Sequence, residues 1–301
     1  MTHILGTQKR NFKTWNTWDK IFLFILILFT CGFFYILFGS LEDFSIRRLF
    51  QYIININEDG SIKAGILLNG LFMTIRLSFW CLLIAFISGG IVGTLSAHKR
   101  GLAALPSKIY ILSLRNMPPL ILLFLVFFFS SNLLTELLIN FEYYIAKLSP
   151  FWKQSFYILV APEGQLDRML AAIITLGLYE GAYIAEIIRA GIESVSQGQW
   201  EAGKATGMTK WKIRRYIVAP QAMKQSIAPL AGQSISTIKD SAIASIISLQ
   251  ELTFQSMELM NVTGKTIEIW LLTAICYFCL AFILDSLGKK YENSIQWKHH
   301  N

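Results

Sequence analysis

The sequence predicts an all-α fold, a polytopic membrane bundle of about six transmembrane helices. Of its 301 residues, 54% are hydrophobic and only 15% are charged, whereas soluble domains carry about 25% charged residues. Several apolar runs reach about 20 residues, the length that an α-helix needs to cross about 30 Å of hydrocarbon. The net charge of +8 is therefore attributed to membrane topology, and no nucleic-acid partner is expected.

Six apolar segments are predicted to cross the membrane. The second carries Gly89 and Gly93, a spacing of small residues that lets helices approach closely. The third is interrupted by Pro118 and Pro119, which are expected to kink it. The six predicted spans are residues 21–39, 66–97, 105–129, 168–190, 226–249 and 267–287.

The distribution of basic residues predicts that both termini face the cytoplasm. In that orientation, seventeen of the 27 Lys and Arg residues fall in inner segments, seven in outer segments and three within spans. Cytoplasmic loops of membrane proteins carry such an excess. The segment at residues 189–225, which holds seven of these residues and includes the loop at 191–225, is therefore placed inside.

The chain is divided into three parts. Residues 1–65 form an N-terminal cytoplasmic segment, an extra transmembrane helix and an outer loop. Residues 66–291 form the main transmembrane domain, interrupted by an insertion at 130–168 that is expected to be partly helical and to lie near the outer face. Residues 292–301 form a cytoplasmic tail.

The most informative stretch is polar and basic, yet it lies between two apolar spans. Residues 199–222 read QWEAGKATGMTKWKIRRYIVAPQA. Helix formers occupy residues 200–206, and Gly207 is suited to end that helix. A second helix is expected over residues 208–218, with Pro220 stopping it. The pattern predicts a short helix, a turn and a second helix on the cytoplasmic face.

Two other interpretations fit parts of this stretch. From charge alone, it is a solvated basic loop that obeys the positive-inside rule. Residues 198–205, GQWEAGKA, also approach the phosphate-binding pattern GxxxxGK[ST], but Ala205 occupies the Ser/Thr position. Because no strand pattern precedes it either, nucleotide binding is not expected here.

The stretch resembles the EAA loop of ABC-importer permeases, the segment whose short helix docks in a cleft of the ATPase subunit. The resemblance covers about residues 66–291 and is specific to importers of polar amino acids, of the histidine, glutamine or general L-amino-acid type. Gly203 and Ala219 depart from the family pattern, which usually has Ala and Leu there. The further matching motifs are RNMPPL at 115–120, GLYEGAYIAEIIRAGIESVSQGQWEAG at 177–203, KDSA at 239–242 and QEL at 250–252.

The resemblance implies a type I importer permease fold and ATP-coupled uptake of polar L-amino acids across a bacterial inner (plasma) membrane. It implies an ABC ATPase subunit dimer, a second permease subunit (itself or a paralogue) and an extracytoplasmic amino-acid-binding protein as partners, with membrane lipid around the bundle. The chain would be no enzyme and hold no cofactor, since ATP and Mg would bind to the partner ATPase. The residues that the resemblance assigns to ATPase coupling are Glu201, Ala202, Gly203, Gly207, Ile217 and Pro220.

Charged residues within the spans are candidates for a substrate path. Such groups are costly in hydrocarbon and usually face a bundle interior or a wet cavity. Their mixed sign suits a zwitterionic substrate, although they could instead pair with one another or snorkel. The candidate path residues are Arg76, Arg115, Glu180, Tyr183, Glu186, Lys239 and Asp240.

Two rival functions come from other classes. An ion-gradient-driven secondary transporter would need an ion site in a broken helix, and Pro118–Pro119 marks a candidate break. A membrane-embedded enzyme would need a reactive cluster, and the sequence shows no His, Asp or Glu residues at metal-ligand spacing. A secondary transporter would also leave the ordered cytoplasmic loop without a purpose.

Overall fold

The computed structural model describes residues 17–39, 46–56, 62–97 and 104–297. They separate into two compact units, residues 1–46 and 47–301. In the first unit, α1 (Thr17–Gly39) is an almost wholly apolar helix. Its large side chains, such as Trp18, Phe22 and Phe29, are exposed, as expected for a helix that faces lipid.

Among the described residues of the second unit, the regular structure is helical except for one small hairpin, so the predicted all-α class is confirmed. The hairpin, absent from the sequence prediction, pairs β1 (Ile54–Ile56) with β2 (Ile62–Ala64) antiparallel, with Asn55 opposite Lys63. The helices are α2 (Ile46–Ile53), α3 (Ile66–Ser96), α4 (Ala104–Arg115), α5 (Pro119–Ala146), α6 (Pro150–Leu159), α7 (Leu166–Glu193), α8 (Gln197–Ala205), α9 (Lys210–Ile213), α10 (Ala219–Asp240), α11 (Leu252–Thr263) and α12 (Thr266–Trp297).

Three helices of the described residues are long and apolar enough to cross a membrane: α3, α7 and the first 25 residues of α12. A bent pair, α4 with the first part of α5, makes a fourth candidate. The predicted spans at 21–39 and 226–249 are not among them. In α1 the described part, Lys20–Gly32, forms a shorter apolar helix, and α10 is rich in Ser, Gln and Lys.

The third predicted span is broken. α4 and α5 meet at 105°, because Pro118 caps the N-terminus of α5 and Pro119 occupies its first turn. Both prolines are tolerated there, since a helix's first N–H groups have no intrahelical partner. α5 then continues without interruption to Ala146. The predicted insertion is thus the second half of α5 followed by α6.

The core lies where α3, α5 and α7 meet. Leu77 of α3, Leu123 of α5, and Met169 and Leu176 of α7 are all inaccessible to solvent or nearly so. In a membrane such side chains stabilise the unit through close van der Waals packing, since lipid tails are as apolar as they are. α7, with fifteen buried residues, is therefore the central helix of the fold.

Glycines bring α3 and α7 into backbone contact. A Cβ atom added at Gly89 would lie 2.6 Å from Ile184 Cγ2, and one at Gly93 would lie 2.6 Å from the Ala185 carbonyl oxygen. No real Cβ is found so close to a backbone atom. The small-residue spacing that predicted close approach thus marks the contact between these two helices.

We expect Gly93→Ala to destabilise the protein, because the new methyl group forces α3 away from the backbone of α7. Overpacking of this kind typically costs about 1–3 kcal/mol. Gly90→Ala is the matched control, since a Cβ there meets nothing within 4 Å and Ala favours the helix by up to about 1 kcal/mol. The thermal unfolding midpoints of the two purified variants should therefore shift in opposite directions, and equal midpoints would contradict the proposed packing.

Candidate functional site

The residues predicted to form a cytoplasmic loop fold into two helices, which we call the loop helix pair: α8, and the helical run that starts at Lys210 and continues into α10. A Schellman motif ends α8. The N–H of Gly207 donates to Lys204 O at 3.0 Å, and the N–H of Met208 donates to Gly203 O at 3.1 Å. Gly207 has φ +73°, a conformation that residues with a Cβ rarely adopt. The sequence prediction of a helix end at Gly207 is confirmed.

Gly203 packs inside the loop helix pair. It is buried, and a Cβ atom there would lie 2.9 Å from Ile213 Cγ1 and from Ile217 Cδ1. Glu201 and Ala202 of the same helix are exposed. The resemblance assigns Gly203 to ATPase coupling, and in the structure its missing side chain makes room for the second helix of the pair.

Pro220 does not stop the second helix, so that prediction is wrong. The chain is helical without a gap from α9 through a π-helical turn, Arg214–Val218, into α10. In the π turn, the N–H of Ala219 donates to the carbonyl of Arg214, five residues back. This wider turn lies just before Pro220, where an α-helical bond would be lost.

An apolar cluster fastens the loop helix pair to the bundle. It consists of Val195, after the end of α7, with Ile213, Val218 and Ala222 of the second helix, and half-buried Trp200 packs on it. The cluster therefore joins α7, α8 and α10 at one end of the fold.

Two aromatic residues on the outer surface of the pair had no signal in the sequence analysis. Trp211 is 66% exposed and Tyr216 is 63% exposed, and their rings meet edge to face with centroids 6.3 Å apart. Exposed aromatic groups beside basic residues are typical of protein interfaces. The two residues are five positions apart and the π turn lies between them. The sequence pattern therefore did not predict that their side chains would meet.

Glu180 of α7 is fully buried against α10. Its Oε2 accepts hydrogen bonds from Gln233 Nε2 at 2.5 Å and Thr237 Oγ1 at 3.2 Å. Its Oε1 is buried and accepts no hydrogen bond in the part of the chain that the structure describes. The carboxyl group of Asp240, at the end of α10, interacts with Glu180. Two predicted path residues thus form an acidic centre.

Glu186 anchors a second polar group, which faces α4. Arg189 binds it with two hydrogen bonds of 2.8 and 2.6 Å, and Arg115 Nη1 lies 3.8 Å from Glu186 Oε1. The Arg115 guanidinium also lies 5.1 Å from the ring centre of Tyr183, close enough for a cation–π contact. Arg115, Tyr183 and Glu186, all predicted path residues, are therefore brought together.

The face of α7 that carries Glu180, Tyr183 and Glu186 is divided between these two groups. At 100° per residue, positions three apart are displaced by about 60°, so Glu180 and Glu186 point about 120° apart. The hydroxyl of Tyr183 bonds that of Tyr179 at 3.1 Å. Of the other path residues, Lys239 is exposed, and Arg76 lines a different groove.

A second buried carboxylate, Glu251, was named in a motif but not predicted as a site residue. It caps α11, accepting from the backbone N–H groups of Thr253 and Phe254, both at 2.9 Å. Tyr277 Oη and Thr74 Oγ1 also donate to it, at 2.8 and 3.3 Å. Both of its oxygens are satisfied, and it ties α11 to α3 and α12.

Comparisons with known proteins agree on one family. Residues 89–296 match the family described as binding-protein-dependent transport system inner membrane component. The L-cystine transport system permease protein of Bacillus subtilis (strain 168) is 32% identical over 235 residues, 76% of this chain and 86% of that protein. The glutamine transport system permease protein of Escherichia coli (strain K12) is 33% identical over 132 residues. That alignment covers 44% of this chain and spans 60% of the length of the relative.

Solved structures show the same fold. An amino acid ABC transporter crystallised with histidines superposes with a TM-score of 0.60 and 28% identity, covering 76% of this chain and 94% of that one. An inward-facing methionine ABC transporter superposes with a TM-score of 0.59 and 16% identity, covering 76% and 96%. At that identity, the second likeness concerns the fold alone.

Proposed function

Because the chain belongs to the family of binding-protein-dependent transport system inner membrane components, we propose that it is the transmembrane permease subunit of an ABC importer for polar L-amino acids. The observation that carries the proposal is the loop helix pair, a rigid, exposed element built onto the ends of two bundle helices. The relatives named for glutamine and cystine, and the solved amino acid transporter, support the substrate class. The family gives no support to a secondary transporter.

The proposal requires partners. An ATPase subunit dimer would bind ATP and Mg, a second permease subunit would complete the bundle, and an extracytoplasmic binding protein would deliver the amino acid. The chain itself would make or break no covalent bond. Exposed Glu201 and Ala202, with Trp211 and Tyr216, are the groups of the loop helix pair that are free to contact an ATPase.

Coupling would be mechanical. A movement of the loop helix pair passes to α7 and α10 through the apolar cluster at Val195, Ile213 and Val218. Both helices reach the acidic centre at Glu180, so ATP binding on the partner can bias the arrangement of the path. The free energy that shifts the equilibrium equals the difference between the binding free energies of ATP in the two states.

The zwitterionic substrate would meet opposite charges. Glu180 and Asp240 suit its ammonium group, because the buried Oε1 of Glu180 has an unused acceptor position. Arg115, held beside Tyr183 by a long ion pair with Glu186, suits its carboxylate. Both groups lie on or against α7.

Gly207→Val tests the coupling role. A β-branched residue at φ +73° costs about 1–3 kcal/mol, and the turn between the two loop helices should rearrange. We expect the ATPase subunit to be lost on co-purification, and amino-acid-stimulated ATP hydrolysis to fall with it, while the membrane helices stay folded.

Gly207→Asn is the matched control, since Asn adopts left-handed backbone conformations most readily after Gly. It should retain the ATPase subunit. A Gly207→Val complex that assembles and hydrolyses ATP like wild type would show that the loop helix pair is only a connector.

Glu180→Gln and Glu186→Gln test the substrate path. Each keeps the size of the side chain but removes a buried or half-buried charge, so uptake should fall at least about tenfold while the ATPase complex still assembles. Glu193→Gln is the control, because Glu193 also binds Arg189, at 2.6 Å, but is exposed at the end of α7. If Glu180→Gln and Glu186→Gln take up the amino acid as well as wild type and Glu193→Gln do, this part of α7 does not line the path.

The cytoplasmic position of both termini remains a proposal from the charge distribution. In a chain whose four native cysteines are replaced, a membrane-impermeant thiol reagent should label Asp59→Cys in intact cells but not Lys210→Cys. Labelling at Lys210→Cys would overturn the orientation and, with it, the assignment of the loop helix pair to an ATPase.

A further inference from the structure

A groove of about 910 Å³ lies apart from both polar groups of α7. We call it the Arg76 groove. α3 forms one wall, and the end of α6 with the segment leading to α7 forms the other. Trp80 of α3 joins these walls by donating its indole N–H to Leu159 O at 2.8 Å. A hydrogen bond between its two walls therefore helps to fix the shape of the groove.

Arg76 brings an unpaired positive charge into this groove. Its Nε is buried without a hydrogen-bond partner, and its Nη1 meets only the thioether sulfur of Met73, at 3.6 Å. Among the described residues, no carboxylate forms an ion pair with it. A guanidinium in a largely apolar setting is costly unless an anion accompanies it.

The remaining polar lining is neutral. It consists of four amide side chains, from Asn69, Gln165, Gln250 and Gln255. Gln165 and Gln250 bond each other, Nε2 to Oε1 at 2.9 Å, which holds them in place. With no carboxylate in the lining, the groove favours a ligand with a net negative charge over a zwitterion.

The position of Arg76 along α3 places it near the headgroups. α3 has 31 residues, about 46 Å at 1.5 Å per residue, and exceeds the hydrocarbon thickness by about 16 Å. Arg76 lies ten residues, or about 15 Å, from the first residue of α3. Centred in the membrane, α3 would hold its Cα about 7 Å inside the hydrocarbon boundary, from which a long side chain reaches the phosphates.

The residue types on the second wall support this depth of Arg76 in the membrane. α6 carries Trp152, Lys153 and Tyr157, the residue types that collect at membrane–water interfaces. Lys153 lies 5.6 Å from the ring centre of Tyr157. On the other wall, Phe72, Ile75 and Phe79 of α3 are exposed and continue the groove as an apolar surface.

We propose that the Arg76 groove binds an anionic phospholipid. The phosphate lies on the Arg76 guanidinium, the amide side chains bind the rest of the headgroup, and an acyl chain covers Phe72, Ile75 and Phe79. The guanidinium fork matches two phosphate oxygens, which a Lys ammonium cannot do. The lipid thus neutralises a charge that the described chain leaves unpaired.

The test compares phosphatidylglycerol with phosphatidylcholine on the purified transporter complex in detergent, with bound lipids counted by native mass spectrometry. We expect wild type to prefer phosphatidylglycerol by about fivefold or more, the factor that one basic residue contributes at an anionic surface. Arg76→Gln should lose the preference, and Arg76→Lys should keep part of it. Lys153→Gln, a cation on the same wall but outside the groove, should keep all of it.

Gln255→Glu provides a test that leaves Arg76 in place. The added carboxylate neutralises the groove and should abolish the preference even if Arg76→Gln fails to fold. Three results would overturn the proposal: an unchanged preference in Arg76→Gln or Gln255→Glu, equal binding of both lipids to wild type, or displacement of the lipid by millimolar free glutamine, which would assign Arg76 to the transported amino acid. A complex that falls apart in Arg76→Gln with its lipid preference intact would also overturn it, in favour of a subunit contact.

Discussion

The close contact between α3 and α7 is the constraint on which the rest of the structure depends. Gly89 and Gly93 let the backbones touch at Gly181 and Ala185, so α7 cannot shift without α3. α7 holds Glu180 against α10, and its C-terminal end leads directly into the loop helix pair. Because this contact holds α7 in place, the helix moves as a unit. A displacement at its C-terminal end therefore also displaces the polar groups along its length.

α10 provides a second connection between the same two places. It continues the loop helix pair through the π turn and reaches Glu180 with Gln233 and Thr237. Near the loop, α10 meets α7 again, where a Cβ at Gly191 would lie within 3 Å of the Ala222 carbonyl oxygen. α7 and α10 are therefore in contact both at the loop and at the acidic centre. Movement of the pair would alter both sides of that centre together.

The sequence predicted those features of the fold that depend on residues close together in the chain. Gly207 ends α8 because a left-handed residue is needed there, and the proline pair breaks the third span because each proline removes a backbone donor. Pro220 does not stop the helix as predicted, because the π turn just before it accommodates the missing backbone bond and the helix continues. The meeting of Arg115 with Glu186 lies beyond local signals, because only the fold brings α4 to α7. The exposed Trp211–Tyr216 pair likewise depends on the five-residue spacing of the π turn.

The two buried glutamates show how a structural carboxylate differs from a candidate binding group. Glu251 is surrounded by four donors that satisfy both oxygens. All of its oxygens are therefore hydrogen-bonded, and the residue holds α3, α11 and α12 together. Glu180 is equally buried, but Gln233 and Thr237 both bind its Oε2, and Oε1 accepts no hydrogen bond from the described residues. Leaving a buried acceptor unused costs about 1–3 kcal/mol. Under the proposed function, a donor group of the substrate would occupy this position. An ammonium group supplies several donors and a positive charge between two acids, which is the complement that this centre lacks.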